Sequence, residues 1–168
     1  GGEVWVAPLS EWLFYTNFCY KEKSLNNKKY LDYLKAYIKN KVQKHDEHEL
    51  MEIFYDSLRN NREPTTEELL DNSYSYLPSS VGGEAILSIG KAIDFIRKGI
   101  SGMVNVMPFT CMPGMIVTAI SKRLREDLNS IPWINLSYDG QEDIQTQKRI
   151  EAFIYQAKQY NGRNRFLK

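Results

Sequence analysis

The chain has too few of the residues that build self-contained reactive centres. Two histidines and two cysteines are spread over 168 residues. Cys19 and Cys111 lie too far apart to suggest the disulfide framework of a small secreted domain. No Cys-x-x-Cys pair offers half of a four-ligand metal site, and His-Glu-x-x-His is absent. Neither the glycine fingerprint of a dinucleotide fold nor the phosphate loop Gly-x4-Gly-Lys-Ser/Thr occurs. No apolar run approaches the roughly 18 residues that identify a membrane span. Charge of one sign is lacking too: 22 Lys and Arg against 21 Asp and Glu leave a net +1. That balance removes any global electrostatic case for nucleic acid or a membrane surface as partner.

What remains is an ordinary globular composition, 42% hydrophobic and 26% charged. The length fits one domain with a real core. A reducing, cytoplasmic compartment is the expectation. The chain opens Gly1-Gly2-Glu3 without an initiator Met and closes on a polar stretch, Asn161–Arg165, so a fragment of a longer protein is expected.

Two stretches share one grammar. Met103–Gly114 is an apolar run ending in a loop that holds Cys111 between Pro108 and Pro113. Ile131–Gly140 is a second run ending in Tyr138-Asp139-Gly140. Each run is too short for a buried helix, and a helical pattern follows each. They read as strands 103–107 and 132–137, followed by helices 113–128 and 142–160. Val4–Ala7, closed by Pro8, reads as a further strand. Ser10 is the expected N-cap of the apolar, aromatic segment that follows it. The pattern predicts an α/β fold: a small parallel sheet of three or more strands, Rossmann- or flavodoxin-like and three-layered. Residues 1–168 form a single α/β domain in this reading, with a helical insertion at 21–80 and βα units over 81–160.

Within the insertion, Lys21–Lys29 is basic and rich in Asn and reads as a loop. Tyr30–Lys44 predicts an amphipathic helix with Leu31, Leu34, Ile38 and Val42 on its inner face. His48–Leu58 continues it or forms a second helix. Thr65 and Glu68 have the spacing of a capping box, and Asp71–Gly83 reads as a loop. Glu84–Lys98 predicts a helix with Ile86, Ile89, Ile93 and Ile96 inward and Gly99 as its stop. Ile116, Ala119, Ile120 and Leu124 mark the inward face of the helix after Cys111. Ile150, Phe153, Ile154 and Ala157 mark that of the last.

Ligands of parallel α/β sheets bind where strands give way to helices. Cys111 and Asp139 are therefore expected side by side on one sheet edge. A thiol just before a helix N-terminus is placed where thiolate is favoured, the form that ligates metal. A buried structural cysteine is the competing reading. Asp139 either caps the next helix or faces a ligand. Glu84, after Gly82-Gly83, is favoured by the helix dipole alone, while the glycines permit close backbone approach. The run His45–Glu49 reads as a solvated helix face rather than a metal site.

Several segments together resemble proteins related to the activators and dehydratase components of 2-hydroxyacyl-CoA dehydratases, also described as CoA-substrate-specific enzyme activases. These are Pro8-Leu9-Ser10-Glu11-Trp12, Gly83-Glu84-Ala85, Val106-Met107-Pro108-Phe109-Thr110-Cys111-Met112-Pro113-Gly114, Tyr138-Asp139-Gly140 and Gln147–Phe153. The Pro-Phe-x-Cys-Met-Pro segment is the most specific. The resemblance implies a long parent chain with an ATP-hydrolysing activase region, whose nucleotide motifs this chain lacks, and a dehydratase-like part. In such dehydratases one electron, injected at the cost of ATP, lets an iron–sulfur protein form a ketyl radical from a 2-hydroxyacyl-CoA. Cys111 then matches one thiolate ligand of a [4Fe–4S] cluster, and Glu84 and Asp139 line the same edge as cofactor-binding residues. This chain is the C-terminal portion of the dehydratase-like part in that view. It is inactive alone, and its partners are the rest of the parent and a dehydratase component. The alternative is a non-catalytic α/β module binding a partner or a CoA-like ligand through residues 21–80.

Overall fold

The computed structural model describes residues 2–54, 62–141 and 144–165. They divide into two compact units, Gly1–Glu68 and Leu69–Lys168. No helix among the described residues is long and apolar enough to cross a membrane.

The first unit is built on two long helices, α1 (Ser10–Asn26) and α2 (Tyr30–Phe54). Lys21–Lys29, expected as a loop, instead gives α1 two more turns. Lys and Glu are good helix formers, so a charged, solvated segment remains helical. The turn comes only at Asn27–Lys29. Lys28 adopts φ +56° there, and the N–H of Lys29 bonds the carbonyl of Ser24 at 2.8 Å. Ser10 is the first residue inside α1 rather than its cap, and its Oγ donates to Glu47 Oε1 at 2.9 Å. Val4–Ala7 pairs with nothing as a strand: residues 2–8 carry no regular structure, and Val4 and Val6 are exposed.

The helix predicted over 30–44 is present and runs on to Phe54, but its inner face is the other one. Ala36 is buried and Tyr33, Asn40, Gln43 and Glu47 are half-buried. Asn17 on α1 donates its Nδ2 to Gln43 Oε1. At about 100° per residue, Leu31, Leu34, Ile38 and Val42 project from the opposite side of α2, and all four are exposed. The surface where α1 meets α2 is therefore the more polar one. Residues 55–58, the end of the second helical stretch expected over 48–58, lie outside the described residues.

The division between the units falls inside α3 (Thr66–Ser73). Its N-terminus closes on the expected capping box. The N–H of Thr65 donates to Glu68 Oε2 at 2.8 Å, and the N–H of Glu68 donates to Thr65 Oγ1 at 3.2 Å. The segment after α3, expected as a loop, contains one short 3-10 turn at Ser79–Val81.

The second unit is α/β. Its sheet has two strands among the described residues, β1 (Met103–Pro108) and β2 (Trp133–Tyr138), paired in parallel from Met103↔Trp133 to Pro108↔Tyr138. Helices α4 (Glu84–Arg97), α5 (Met112–Asp127) and α6 (Ile144–Arg165) complete it. Ile86, Ile89 and Ile93 of α4 are buried as the spacing requires, and Leu69, Leu124, Ile131 and Leu136 join them in the core. Gly90 lies directly under the backbone carbonyl of Leu69, where a Cβ would collide. α4 ends on a Schellman motif: the N–H of Gly99 bonds the carbonyl of Ile96 and that of Ile100 bonds the carbonyl of Phe95, with Gly99 at φ +88°. On α5 the buried row is Gly114, Val117, Ser121 and Leu124. Ala119, expected inward, is exposed. On α6, Phe153 and Ala157 close over Gly102, while Ile154, expected inward, is exposed.

Two polar residues occupy equivalent places in the strands. Asn105 and Asn135 face each other in the ladder, with Asn105 Nδ2 donating to Asn135 Oδ1 at 3.1 Å. Trp133 Nε1 donates to the same oxygen at 3.0 Å, and Asn135 Nδ2 donates to Ser121 Oγ on α5 at 3.3 Å. Arg149 of α6 reaches the backbone carbonyl of Asn135 at 2.8 Å. The shared asparagine thus ties both strands to both helices.

Candidate functional site

The site is organised by the C-terminal ends of β1 and β2. The ladder closes at Pro108↔Tyr138, and one further bond, Phe109 N–H to the Tyr138 carbonyl at 2.8 Å, joins the loops beyond it. The loops carrying Cys111 and Asp139 therefore leave the same sheet edge.

The turn from β1 into α5 is tight. Thr110 sits at φ +63°, and the N–H of Cys111 bonds the carbonyl of Pro108 at 3.1 Å. Cys111 occupies the N-cap of α5, with φ −66° and ψ 112°. Its carbonyl accepts the first helical bond, from Met115, at 2.9 Å. Pro113 follows inside the first turn, where its missing N–H costs nothing. The thiol is free and half-buried, so it is not sealed in the core, and its side chain makes no cap bond. The exposed side chains of Phe109, Met112 and Met115 neighbour it in sequence.

Asp139 is exposed and turns back on its own loop. Its Oδ1 accepts the N–H of Gln141 at 3.0 Å, an Asx-turn, with Gly140 at φ +87° between them. Beside it opens a cleft of about 900 Å³, lined in part by Phe109, Tyr138, Asp139, Gln147, Ile150 and Glu151. Among the described residues its lining brings two carboxylates, one phenol and no Lys or Arg, a poor match for phosphate groups. Cys111 and Glu84 are not among them. Glu84 heads α4, exposed, after Gly82 and Gly83, both at positive φ with open space where a Cβ would stand. Of the three residues singled out from sequence, the strand ends bring Cys111 and Asp139 to one edge. Glu84 stands at another helix start.

Sequence reasoning passed over the wall that α6 contributes. Its signal was Gln147 and Glu151, polar and one turn apart, whose side chains meet at 3.5 Å. The His45–Glu49 run is a solvated face, as expected. His45 pairs with Glu49 and His48 with Glu52, both at 3.3 Å and well exposed.

A whole iron–sulfur cluster does not fit these residues by themselves. A [4Fe–4S] cluster takes four thiolates. The chain has two cysteines, and Cys19 lies on α1 of the first unit. Among the described residues, no group of three or more His, Cys, Asp or Glu is placed to hold a metal ion. Cys111 fits the place of a single ligand: accessible, on a stiffened loop, and followed by the free N–H groups of a helix start. No family model, no curated protein and no solved structure matches the chain.

Proposed function

We propose that this chain is the cluster-supporting edge of a larger, dehydratase-activator-related protein, in which Cys111 provides one thiolate of a shared [4Fe–4S] cluster. The observation that carries the reading is the half-buried Cys111 thiol at the α5 N-cap, on the edge where two parallel strands end. When bound, such a cluster accepts and passes on single electrons. The chain's own part is to hold the thiolate. The N–H groups of the α5 N-terminus are placed to donate hydrogen bonds to cluster sulfurs. Asp139 would stand near that edge as a polar group toward the ligand. The remaining ligands come from elsewhere in the parent or from a dehydratase component, so the chain alone is inactive. A cytoplasmic setting, where thiols stay reduced, suits this chemistry.

A wider Rossmann- or flavodoxin-like sheet belongs to the same proposal. Val104 and Val106 on β1 are exposed, as expected of a strand whose outer face another element covers in the whole protein.

Anaerobic reconstitution of the longer protein with iron and sulfide tests the ligand role. Cys111→Ser is expected to lose the brown visible absorbance while Cys19→Ser keeps it. An unchanged cluster in Cys111→Ser removes Cys111 as a ligand.

A second reading, a non-catalytic interaction module acting through residues 21–80, draws on one specific observation: the apolar row of α2 faces solvent. Substitutions confined to that row, with partner recovery as the readout, separate it from the cluster reading. Unchanged recovery counts against the module.

A further inference from the structure

The apolar row on α2 has an unusual relation to the rest of its helix. Leu31, Leu34, Ile38 and Val42 are between 52% and 77% exposed, and Leu50 and Ile53 extend the exposed apolar surface toward the C-terminus. The opposite face, against α1, buries Ala36 but also half-buries Asn40, Gln43 and Glu47, with Asn40 Oδ1 buried and unbonded. An isolated helical hairpin gains nothing from this inversion, since exposed leucine and isoleucine forgo about 25 cal/mol for each Å² left in water.

The charges along α2 point to what covers the row. From Tyr30 to Lys44 the helix carries Lys35, Lys39, Lys41 and Lys44 against Asp32 alone. From His45 to Phe54 it carries Asp46, Glu47, Glu49 and Glu52 and no Lys or Arg. A parallel second copy would set the basic half on the basic half. An antiparallel copy sets it on the acidic half. With the two-fold axis at Val42, residues whose numbers mirror one another across position 42 come level. Val42 then meets Val42, and Leu31 meets Ile53. On the same flank, Lys35 comes level with Glu49, and Lys39 falls one residue from the level of Asp46. The axis repeats both ion pairs, as an isologous interface requires. Glu49 also contacts His45 on its own helix at 3.3 Å. Both side chains are exposed there, leaving Glu49 accessible to a lysine.

We infer that this chain self-associates through α2, packed antiparallel against α2 of a second copy with Val42 at the symmetry axis. The inference is independent of the cluster reading.

Sedimentation velocity over a concentration series tests it. The 168-residue chain is expected to show a reversible monomer–dimer equilibrium. Val42→Glu places two carboxylates on the axis and is expected to leave only monomer, with the helical circular dichroism signal unchanged because Val42 is exposed. Lys39→Glu is expected to weaken the dimer by about tenfold, the effect of one exposed ion pair lost twice. Adding Asp46→Lys to Lys39→Glu is expected to restore it. A wild-type chain that stays monomeric, including one whose row is instead occupied by another polypeptide, overturns the proposal. So does a Val42→Glu dimer, or a charge-swapped double variant no tighter than Lys39→Glu.

Discussion

Asn105 and Asn135 face each other across the parallel ladder and share a hydrogen bond of 3.1 Å on the side of the sheet that α5 covers. Asn135 Oδ1 accepts twice, from Asn105 and from Trp133. Truncating Asn135 removes the acceptor for two part-buried donors at once. Asn135→Ala is expected to cost about 2 kcal/mol, since the stranded groups add their desolvation penalty to the lost bond. Asn105→Ala, which strands fewer groups, is expected to cost about 1 kcal/mol. Urea unfolding measures both, and equal costs would show that Asn135 is no node.

Two glycines are held to their size by different neighbours. A Cβ at Gly90 meets the Leu69 backbone carbonyl, which cannot move without shifting α3. A Cβ at Gly114 meets the side chain of Met107, which can adopt another rotamer. Gly90→Ala is expected to cost about 3 kcal/mol and Gly114→Ala about 1 kcal/mol. Thermal unfolding of the pair decides the order.

The capping box of α3 predicts a pH dependence. The Thr65 N–H, followed by Arg62 at 2.7 Å, holds the Glu68 carboxyl below the usual carboxylate range, against an opposing effect of desolvation. A lowered folded-state pKa stabilises the fold above the unfolded value of about 4.3. That stabilisation is lost as pH falls through the folded-state pKa. Glu68→Gln is expected to flatten this acid limb of stability. Thr65→Ala is expected to cost about 1 kcal/mol at neutral pH. Urea midpoints between pH 3 and 7, to be read at about one-unit steps, check both.

Tyr76 is expected to titrate late. Burial, with a hydrogen bond and charge from Asp127, raises its phenol above the ordinary value of 10.0, and Arg123, over its ring at 5.5 Å, opposes this. Because the folded pKa is raised, the stability it confers is present below the unfolded pKa. It fades as pH rises through the folded value. Asp127→Asn should bring the Tyr76 titration down, as followed by the NMR signal that Tyr76→Phe removes.

Much of the second unit was readable from sequence because its signals are local. The two apolar runs, the prolines around Cys111, and Gly99 each act within a few residues of the backbone they shape, as does the Thr65–Glu68 spacing at the end of the first unit. The faces of α2 and α5 were not readable. On α5 the small residues Gly114 and Ser121 are buried because β1 and β2 approach closely there, a tertiary fact that periodicity of large apolar residues misses. On α2 the periodicity was real, and the row it marks is exposed. Val4–Ala7 has strand-like composition, yet composition does not supply a pairing partner. The paired asparagines did leave a sequence signal, the third position of Met-Val-Asn-Val and of Trp-Ile-Asn-Leu, which goes unread when only the apolar pattern is followed.

The claim that Cys111 is a cluster ligand is tested most directly by iron and acid-labile sulfide content of the parent protein proposed above, purified and reconstituted without oxygen. The wild type is expected to hold about four irons and four sulfides per cluster site. Cys111→Ser is expected to hold fewer, from loss of the cluster or of the iron at the vacated corner. Equal iron and sulfide in the two proteins would contradict the account.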